Sequence, residues 1–174
     1  LEGVLNLESP QIGGFSEDDS HMLQSLATYA VTAIQEVRLL DALQEAAQLL
    51  ISQPSNIVLN QLCTMANDLL NTSSSVIWLK NEKGEIELIS SNGTKITSDI
   101  DEAQKDTNAL LIPLMSGEEA TALGTFGAFH PAMGGVRSDT SEWDKKVLAC
   151  LANYAVLAVQ NESRQQALRS SQEQ

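Results

Sequence analysis

Only a few residues of this sequence could support metal binding or thiol chemistry, and their spacing favours neither. The two histidines, His21 and His130, stand at no spacing with Cys, Asp or Glu that is typical of a metal site. The two cysteines, Cys63 and Cys150, lie among apolar neighbours at helical spacing. A free cysteine in such surroundings usually packs as a small apolar group, so we interpret both as core residues. We therefore predict no metal site.

The motifs of phosphate binding and of nucleophilic catalysis are also absent from the sequence. The glycine pairs at 13–14 and 134–135 lack the Lys and the flanking elements of a phosphate-binding loop. No order of Ser, His and Asp resembles a catalytic triad or a nucleophile elbow. The paired acids at 18–19 and 118–119 are typical of a helix start and a turn. We predict that this chain is not an enzyme and needs no cofactor.

The composition argues against several other classes of protein. Of the 174 residues, 43% are apolar and 19% are charged, which permits a packed core and argues against wholesale disorder. Acidic residues outnumber basic ones 23 to 10, and the net charge of -13 opposes binding to nucleic acid. No apolar run approaches the roughly 20 residues of a membrane helix, and the sequence opens without the pattern of a signal peptide. We expect a cytoplasmic location without membrane contact.

The sequence contains an internal repeat. Residues 3–14 (GVLNLESPQIGG) align without a gap on 124–135 (GTFGAFHPAMGG), with one Pro and three Gly in register. Further on, 26–35 (LATYAVTAIQ) matches 151–160 (LANYAVLAVQ) at Leu, Ala, Tyr, Ala, Val, Ala and Gln. Each copy is typical of a strand, a turn and a long helix. We interpret the repeat as two tandem, related domains, with 1–15 as the last strand and turn of the first; chance convergence of small residues is the alternative.

Periodicity and turn signals predict the elements that would position these residues. A connector helix over 16–53, capped by Ser16 and ended by Pro54, would follow a strand at 3–8. A complete domain over 54–165 would contain a helix at 56–70, strands at 75–80, 85–90, 109–115 and 122–130, and a last helix capped by Ser138 or Ser141. Tight turns make such strands antiparallel, and Pro113 favours an edge strand. Residues 166–174 would begin a downstream helical linker.

The connector helix carries an apolar seam whose members alternate at spacings of three and four: Leu23, Leu26, Ala30, Ala33, Val37 and Leu40. Such a seam is stable in water only when another surface covers it. We expect a parallel homodimer that pairs along the seam. The alternative is a helix that covers the sheet of its own domain.

The stretch 3–35 resembles the end of a GAF domain, where a G-V-L-x-L strand precedes a loop, the pattern F-S/T-E-x-D and a long helix. The pattern recurs at 124–160, and ALLIPL before a turn and a Gly-led strand is similar to the preceding strand pair. The resemblance implies an α+β fold, an antiparallel sheet with helices on one face. It also implies a sensory module of a signalling protein such as a sensor histidine kinase, which relays a signal to a downstream effector domain.

The resemblance further implies a ligand pocket, although its roof, 91–108, is short here. We regard Trp78 and Phe126 as candidates for lining it. Bilin-binding relatives attach their pigment to a Cys that is often followed by His, and cyclic-nucleotide-binding relatives carry an N-K-x-F pattern; neither occurs in this sequence. A receptor for a small ligand remains the alternative function. An enzyme similar to free methionine sulfoxide reductase is disfavoured, because Cys63 and Cys150 lie on predicted helices.

Overall fold

The computed structural model describes residues 3–94, 97–117, 121–131 and 141–172. They form, in chain order, α1 (Glu17–Ser52), α2 (Ser55–Leu70), β1 (Ser74–Lys80), β2 (Ile86–Gly93), α3 (Ile100–Lys105), β3 (Ala109–Met115), β4 (Ala122–Phe129) and α4 (Glu142–Gln172). The chain divides into two compact units, Leu1–Asp41 and Ala42–Gln174. No helix within the described residues is long and apolar enough to cross a membrane.

In the first unit, a reciprocal cap starts α1 where the sequence predicts it. The Ser16 hydroxyl accepts from the backbone N–H of Asp19 at 3.2 Å, and the Asp19 carboxylate accepts from the Ser16 backbone N–H at 2.8 Å. Residues 3–8, which the sequence predicts as the last strand of a preceding domain, form no strand in this structure. A strand needs a neighbour that satisfies its backbone, and no other described strand pairs with this segment.

The second unit contains a sheet of four strands in the order β2-β1-β4-β3, and every neighbouring pair is antiparallel. Two hairpins, β1 with β2 and β3 with β4, meet through the central pair of β1 and β4. Pro113 stands on the edge strand β3, as predicted, where a missing N–H is tolerated. β2 runs on to Gly93 instead of ending at residue 90, because 91–93 still pair with the start of β1.

Different elements cover the two faces of the sheet. α2 and α4 pack on one face, where the Ser75 hydroxyl donates to the Cys63 carbonyl of α2 at 2.6 Å. The short α3 covers the other face through Ala103, which is buried with Val76, Trp78 and Phe129. The predicted class, α+β with helices packed on one face of an antiparallel sheet, is confirmed by α2 and α4. The single helical turn expected between residues 94 and 107 is α3.

Side-chain hydrogen bonds fix α2 on β2. The Asn67 amide donates to the Asn92 carbonyl at 3.1 Å, and the Asn92 amide donates to the Thr64 hydroxyl at 2.7 Å. These bonds are partly buried, so their loss would leave polar groups without partners. They set the position of α2 along the strand, which apolar contacts alone would specify less well.

Candidate functional site

The face of the sheet beneath α3 is the first candidate site, because Trp78 lies there. Trp78 is fully buried, and its indole N–H donates to the Ser98 carbonyl at 3.1 Å. Its ring meets that of Phe129 edge to face, with 6.4 Å between the ring centroids. The indole is therefore held both by the sheet and by the segment that leads into α3.

A glycine in β4 makes room for the indole. A Cβ atom at Gly127 would lie 2.9 Å from Cζ3 of Trp78 and 2.9 Å from Cδ2 of Leu111. Both distances are shorter than the roughly 3.5–4.0 Å of ordinary carbon contacts. Partly buried apolar side chains complete the packing around this core: Leu88, Ile100, Ala109 and Leu111. Within the described residues, the space between α3 and the sheet is thus occupied by the protein's own side chains.

Phe126, the other residue expected at the pocket, lies on the opposite face of the sheet. Successive side chains of a strand alternate in direction, and its neighbour Gly127 faces Trp78. Phe126 pairs instead with Ile77, and both are fully buried on the side of α2 and α4. The structure therefore does not bring Trp78 and Phe126 together, and Phe129 is the aromatic partner that the sequence analysis missed.

The thiol of Cys63 and the imidazole of His130 lie beside a hydroxyl and a carboxylate, respectively. Desolvation raises the pKa of the Cys63 thiol to about 11, so the thiol is protonated at neutral pH and donates weakly to the Ser90 hydroxyl at 3.7 Å. His130 Nε2 lies 3.8 Å from Oδ2 of Asp144. Both cysteines are free, and the described residues hold no group of three or more His, Cys, Asp or Glu that could bind a metal ion.

A second candidate site lies in the second unit, where α1 ends and α2 begins. Pro54 occupies the N-cap position of α2 and gives the helix no side-chain cap. The Ser55 hydroxyl donates to the carboxylate of Glu162, which belongs to α4. A negative charge at the start of a helix is favourable because it faces the positive end of the helix dipole. One carboxylate of α4 thus binds the residue at which the chain turns from α1 into α2.

A cleft opens beside this contact and holds about 630 Å³ of space that is continuous with solvent. The end of α1 contributes Leu50, and α4 contributes Asn161, Gln165 and Arg169. The lining is mostly polar, which is typical of a hydrated surface and not of an apolar ligand pocket. The cleft and the Ser55 contact together make this junction the place where the last turns of α1 approach α4.

The predicted seam of α1 is largely uncovered in the single chain. Leu26 is 54% exposed, Val37 58% and Leu40 65%; Ala30 and Ala33 are also exposed, and Leu23 is half-buried. In the first unit, residues 3–5 line a shallow apolar groove together with Ala27, Ala30, Val31 and Ile34. An apolar stripe of this length requires a covering surface.

Solved structures with this fold are GAF domains. The GAF domain of a protein described as a sensor histidine kinase from Pseudomonas syringae pv. tomato is 17% identical, with a TM-score of 0.63 over 83% of this chain and 99% of that one. The GAF domain of an Acinetobacter phosphoenolpyruvate-protein phosphotransferase is 16% identical, with a TM-score of 0.55 over 73% and 97%. JSC1_58120g3, solved in a far-red absorbing dark state with bound biliverdin IXa, is 11% identical, with a TM-score of 0.52 over 69% and 98%.

No protein-family model matches the sequence, and no curated protein matches it. At these identities the likeness shows the fold alone, and the architecture agrees: an antiparallel sheet with α2 and α4 on one face. The resemblance drawn from the sequence is confirmed at that level. This chain has the fold of a GAF domain.

Proposed function

We propose that this chain is a non-catalytic sensory or regulatory module, which relays a structural change between α1 and α4 to an effector domain of the same polypeptide. The observation that carries the proposal is the hydrogen bond from Ser55 to Glu162, which joins the junction of α1 and α2 to α4. The fold supports it, since similar solved structures include GAF domains of a sensor histidine kinase and a phosphotransferase. We expect the module to work in the cytoplasm without a cofactor.

The contact is suited to a relay because both of its sides are attached to stiff elements. Pro54 has a restricted φ of -67°, so a displacement at the end of α1 is passed to Ser55 instead of being absorbed by the backbone. Glu162 lies within α4, a helix that continues to Gln172. A rotation or shift of one helix would therefore strain or break the bond to the other, which is the kind of two-state element that signal transmission needs.

A reporter fusion tests the relay. In a series of fusions, the catalytic half of a histidine kinase would be joined to α4 at successive residues. Each fusion differs from the next by one residue, which rotates the kinase half relative to α4. We expect autophosphorylation to vary with a period of about 3.5 residues, as for a helix that transmits rotation. Glu162→Gln should change the activity of the active fusions, and Glu36→Gln on α1 serves as the matched control. Activity that is independent of both register and Glu162 would contradict the proposal.

We further propose that two copies pair in parallel through Val37 and Leu40, the most exposed of the large apolar residues in the predicted seam. Parallel pairing sets identical apolar residues opposite each other, as a two-fold interface requires. Because each copy carries a net charge of -13, association should strengthen as salt screens the repulsion. Light scattering after size exclusion should show a dimer that Val37→Glu with Leu40→Glu converts to a monomer. Ile89→Glu, on the exposed face of β2, is the control, and a monomer of the unmodified protein at high concentration would refute the pairing.

A receptor for a small ligand is the alternative, supported by the similar structure that holds biliverdin. In this chain Trp78 and Phe129 fill the space beneath α3, so a ligand would have to displace the indole. Melting temperatures of the unmodified protein and of Trp78→Ala would be compared with and without biliverdin, haem and cyclic nucleotides. A higher melting temperature of the unmodified protein in the presence of one of these ligands would favour a receptor function over a relay that needs no ligand.

A further inference from the structure

We infer that the first part of α1 is a docking face for a second helix-and-sheet unit of the same architecture. The face consists of Leu23, Leu26, Ala27, Ala30, Val31 and Ala33. In that unit, residues 3–8 would form a central strand and α1 would take the place of the last helix. This assignment is independent of the proposed relay.

The buried face of α4 shows what the face of α1 is built to meet. With the offset of 125 residues between the repeats (26 to 151), the six positions correspond to Leu148, Leu151, Ala152, Ala155, Val156 and Ala158. The amino acid is identical in all six pairs. In α4 these six residues are 0–8% exposed, because they pack on the sheet and on α2.

Apart from Val147, whose counterpart is Met22, the buried side of this stretch of α4 is shared, and several differing positions are exposed. Asn153 and Leu157 of α4 are exposed, and their counterparts on α1 are Thr28 and Thr32. Six of the identical pairs thus fall on the side of α4 that is buried, while Tyr154 and Gln160, which are also shared, are half-buried. The shared residues indicate that the same kind of surface, an amphipathic helix and the face of a sheet, fits both helices.

The segment before α1 shows the same correspondence with β4. Residues 3–8 align on 124–129 with an offset of 121 (3 to 124), and β4 lies between β1 and β3. The positions of β4 on the side of the long helices are 124, 126 and 128, and their counterparts are Gly3, Leu5 and Leu7. Residues 3–8 thus carry apolar side chains where a central strand of this fold needs them.

Gly3 is explained only by such a neighbour. A Cβ atom at its counterpart Gly124 would run into the carbonyl oxygen of Trp78 and lie 2.9 Å from Cα of Leu79, both on β1. At Gly3 a Cβ atom would meet nothing within 4 Å. A glycine at this position is therefore dispensable in the chain as described, and it becomes necessary once a strand like β1 lies beside it.

The occupant must be a unit that lacks its own last strand and last helix. A second copy of residues 54–165 does not qualify, because β4 already fills the central place in its sheet. The unit that fits has a helix like α2 and strands like β1 and β3, and it lacks the strand that β4 supplies between them. Residues 3–8 would take that place. Val37 and Leu40 lie beyond this face, and their counterparts on α4 are the polar residues Glu162 and Gln165. They are therefore free for pairing between copies.

A matched pair of substitutions tests the inference on the unmodified chain. Ala30→Glu should leave the melting temperature and the oligomeric state unchanged, because Ala30 is exposed in the chain alone and only residues 3–5 lie beside it. Ala155→Glu, its counterpart, should abolish the folding transition, because it buries a carboxylate on α4. If Ala30→Glu dissociates a dimer or lowers the melting temperature as Ala155→Glu does, the face is already occupied and the inference is wrong.

A gain-of-structure experiment supplies the positive test. A copy of residues 54–117 (α2 through β3) would be fused ahead of residue 3 by a flexible linker. This segment contains the helix and strands that pack against the same six amino acids on α4. We expect the backbone amides of residues 3–8 to exchange roughly tenfold or more slowly than in the unfused chain. Gly3→Val in the fusion should restore fast exchange through the clash with the new strand. Exchange that is as fast with the fused segment as without it would overturn the inference.

Discussion

Substitution of Gly127 by Ala tests the packing of Trp78 in a way that can be worked out from the structure. The new Cβ atom would lie 2.9 Å from carbon atoms of both Trp78 and Leu111. The indole cannot retreat freely, because its N–H is bonded to the Ser98 carbonyl. Overpacking of this kind costs about 1–3 kcal/mol. Ala also restricts the unfolded chain and so restores about 0.4–1 kcal/mol. We therefore expect a net loss of up to about 2.6 kcal/mol in the free energy of unfolding.

Urea denaturation of the single and double variants would measure this loss and its cause. Trp78→Phe removes the outer ring that carries one of the two contact atoms, so Gly127→Ala should cost less in that background, where only the contact with Leu111 remains. Gly117→Ala is the control, because a Cβ atom there meets nothing within 4 Å. An equal cost of Gly127→Ala with Trp and with Phe at position 78 would refute this account of the core.

Three further predictions concern other parts of the chain. Ser55→Ala should lower the free energy of unfolding by about 0.5–1 kcal/mol, as for the loss of one exposed hydrogen bond. In urea denaturation, this effect should not add to that of Glu162→Gln, which removes the same bond. Iodoacetamide at pH 8 should modify Cys63 far more slowly than the half-buried Cys150, by mass spectrometry, because burial raises the pKa of Cys63 to about 11. Hydrogen bonds from Ser16 lower the pKa of the Asp19 carboxyl below its ordinary value of 3.8 in the folded chain. The ionised carboxylate therefore stabilises the fold above pH 3.8, and this stabilisation is lost as the pH falls through the lower pKa of the folded chain. The free energy of unfolding would be measured by urea denaturation at a series of acidic pH values. Asp19→Asn should remove this dependence of stability on pH, and the same pH profile with and without the substitution would contradict the prediction.

Elements that depend on local pattern could be predicted from the sequence. The reciprocal cap between Ser16 and Asp19, the long helix after it and the strand at 109–115 all lie where periodicity and turn residues place them. The segment 3–8 has an equally clear strand pattern and forms no strand. Strand pattern alone is insufficient, because the backbone of a strand is satisfied only by another strand.

The candidate sites could be predicted only in part. Trp78 is on the expected strand, but which aromatic shares its face depends on strand register, and register comes from contacts between distant residues. The repeat gives no signal for Gly127, whose counterpart is Asn6, and only the pairing of β4 with β1 brings this glycine beside Trp78. The contact of Ser55 with Glu162 joins residues that are 107 positions apart, and only a helix start without a side-chain cap hints at it.

The most direct test of the relay is hydrogen exchange measured on both sides of the contact. Amide exchange in the first turn of α2 and in residues 158–172 of α4 would be followed in the unmodified chain, in Ser55→Ala and in Glu162→Gln. We predict that each substitution speeds exchange in both elements, because one hydrogen bond holds the two together. If Ser55→Ala affects only α2 and Glu162→Gln affects only α4, the two helices are independent and the proposed relay is wrong.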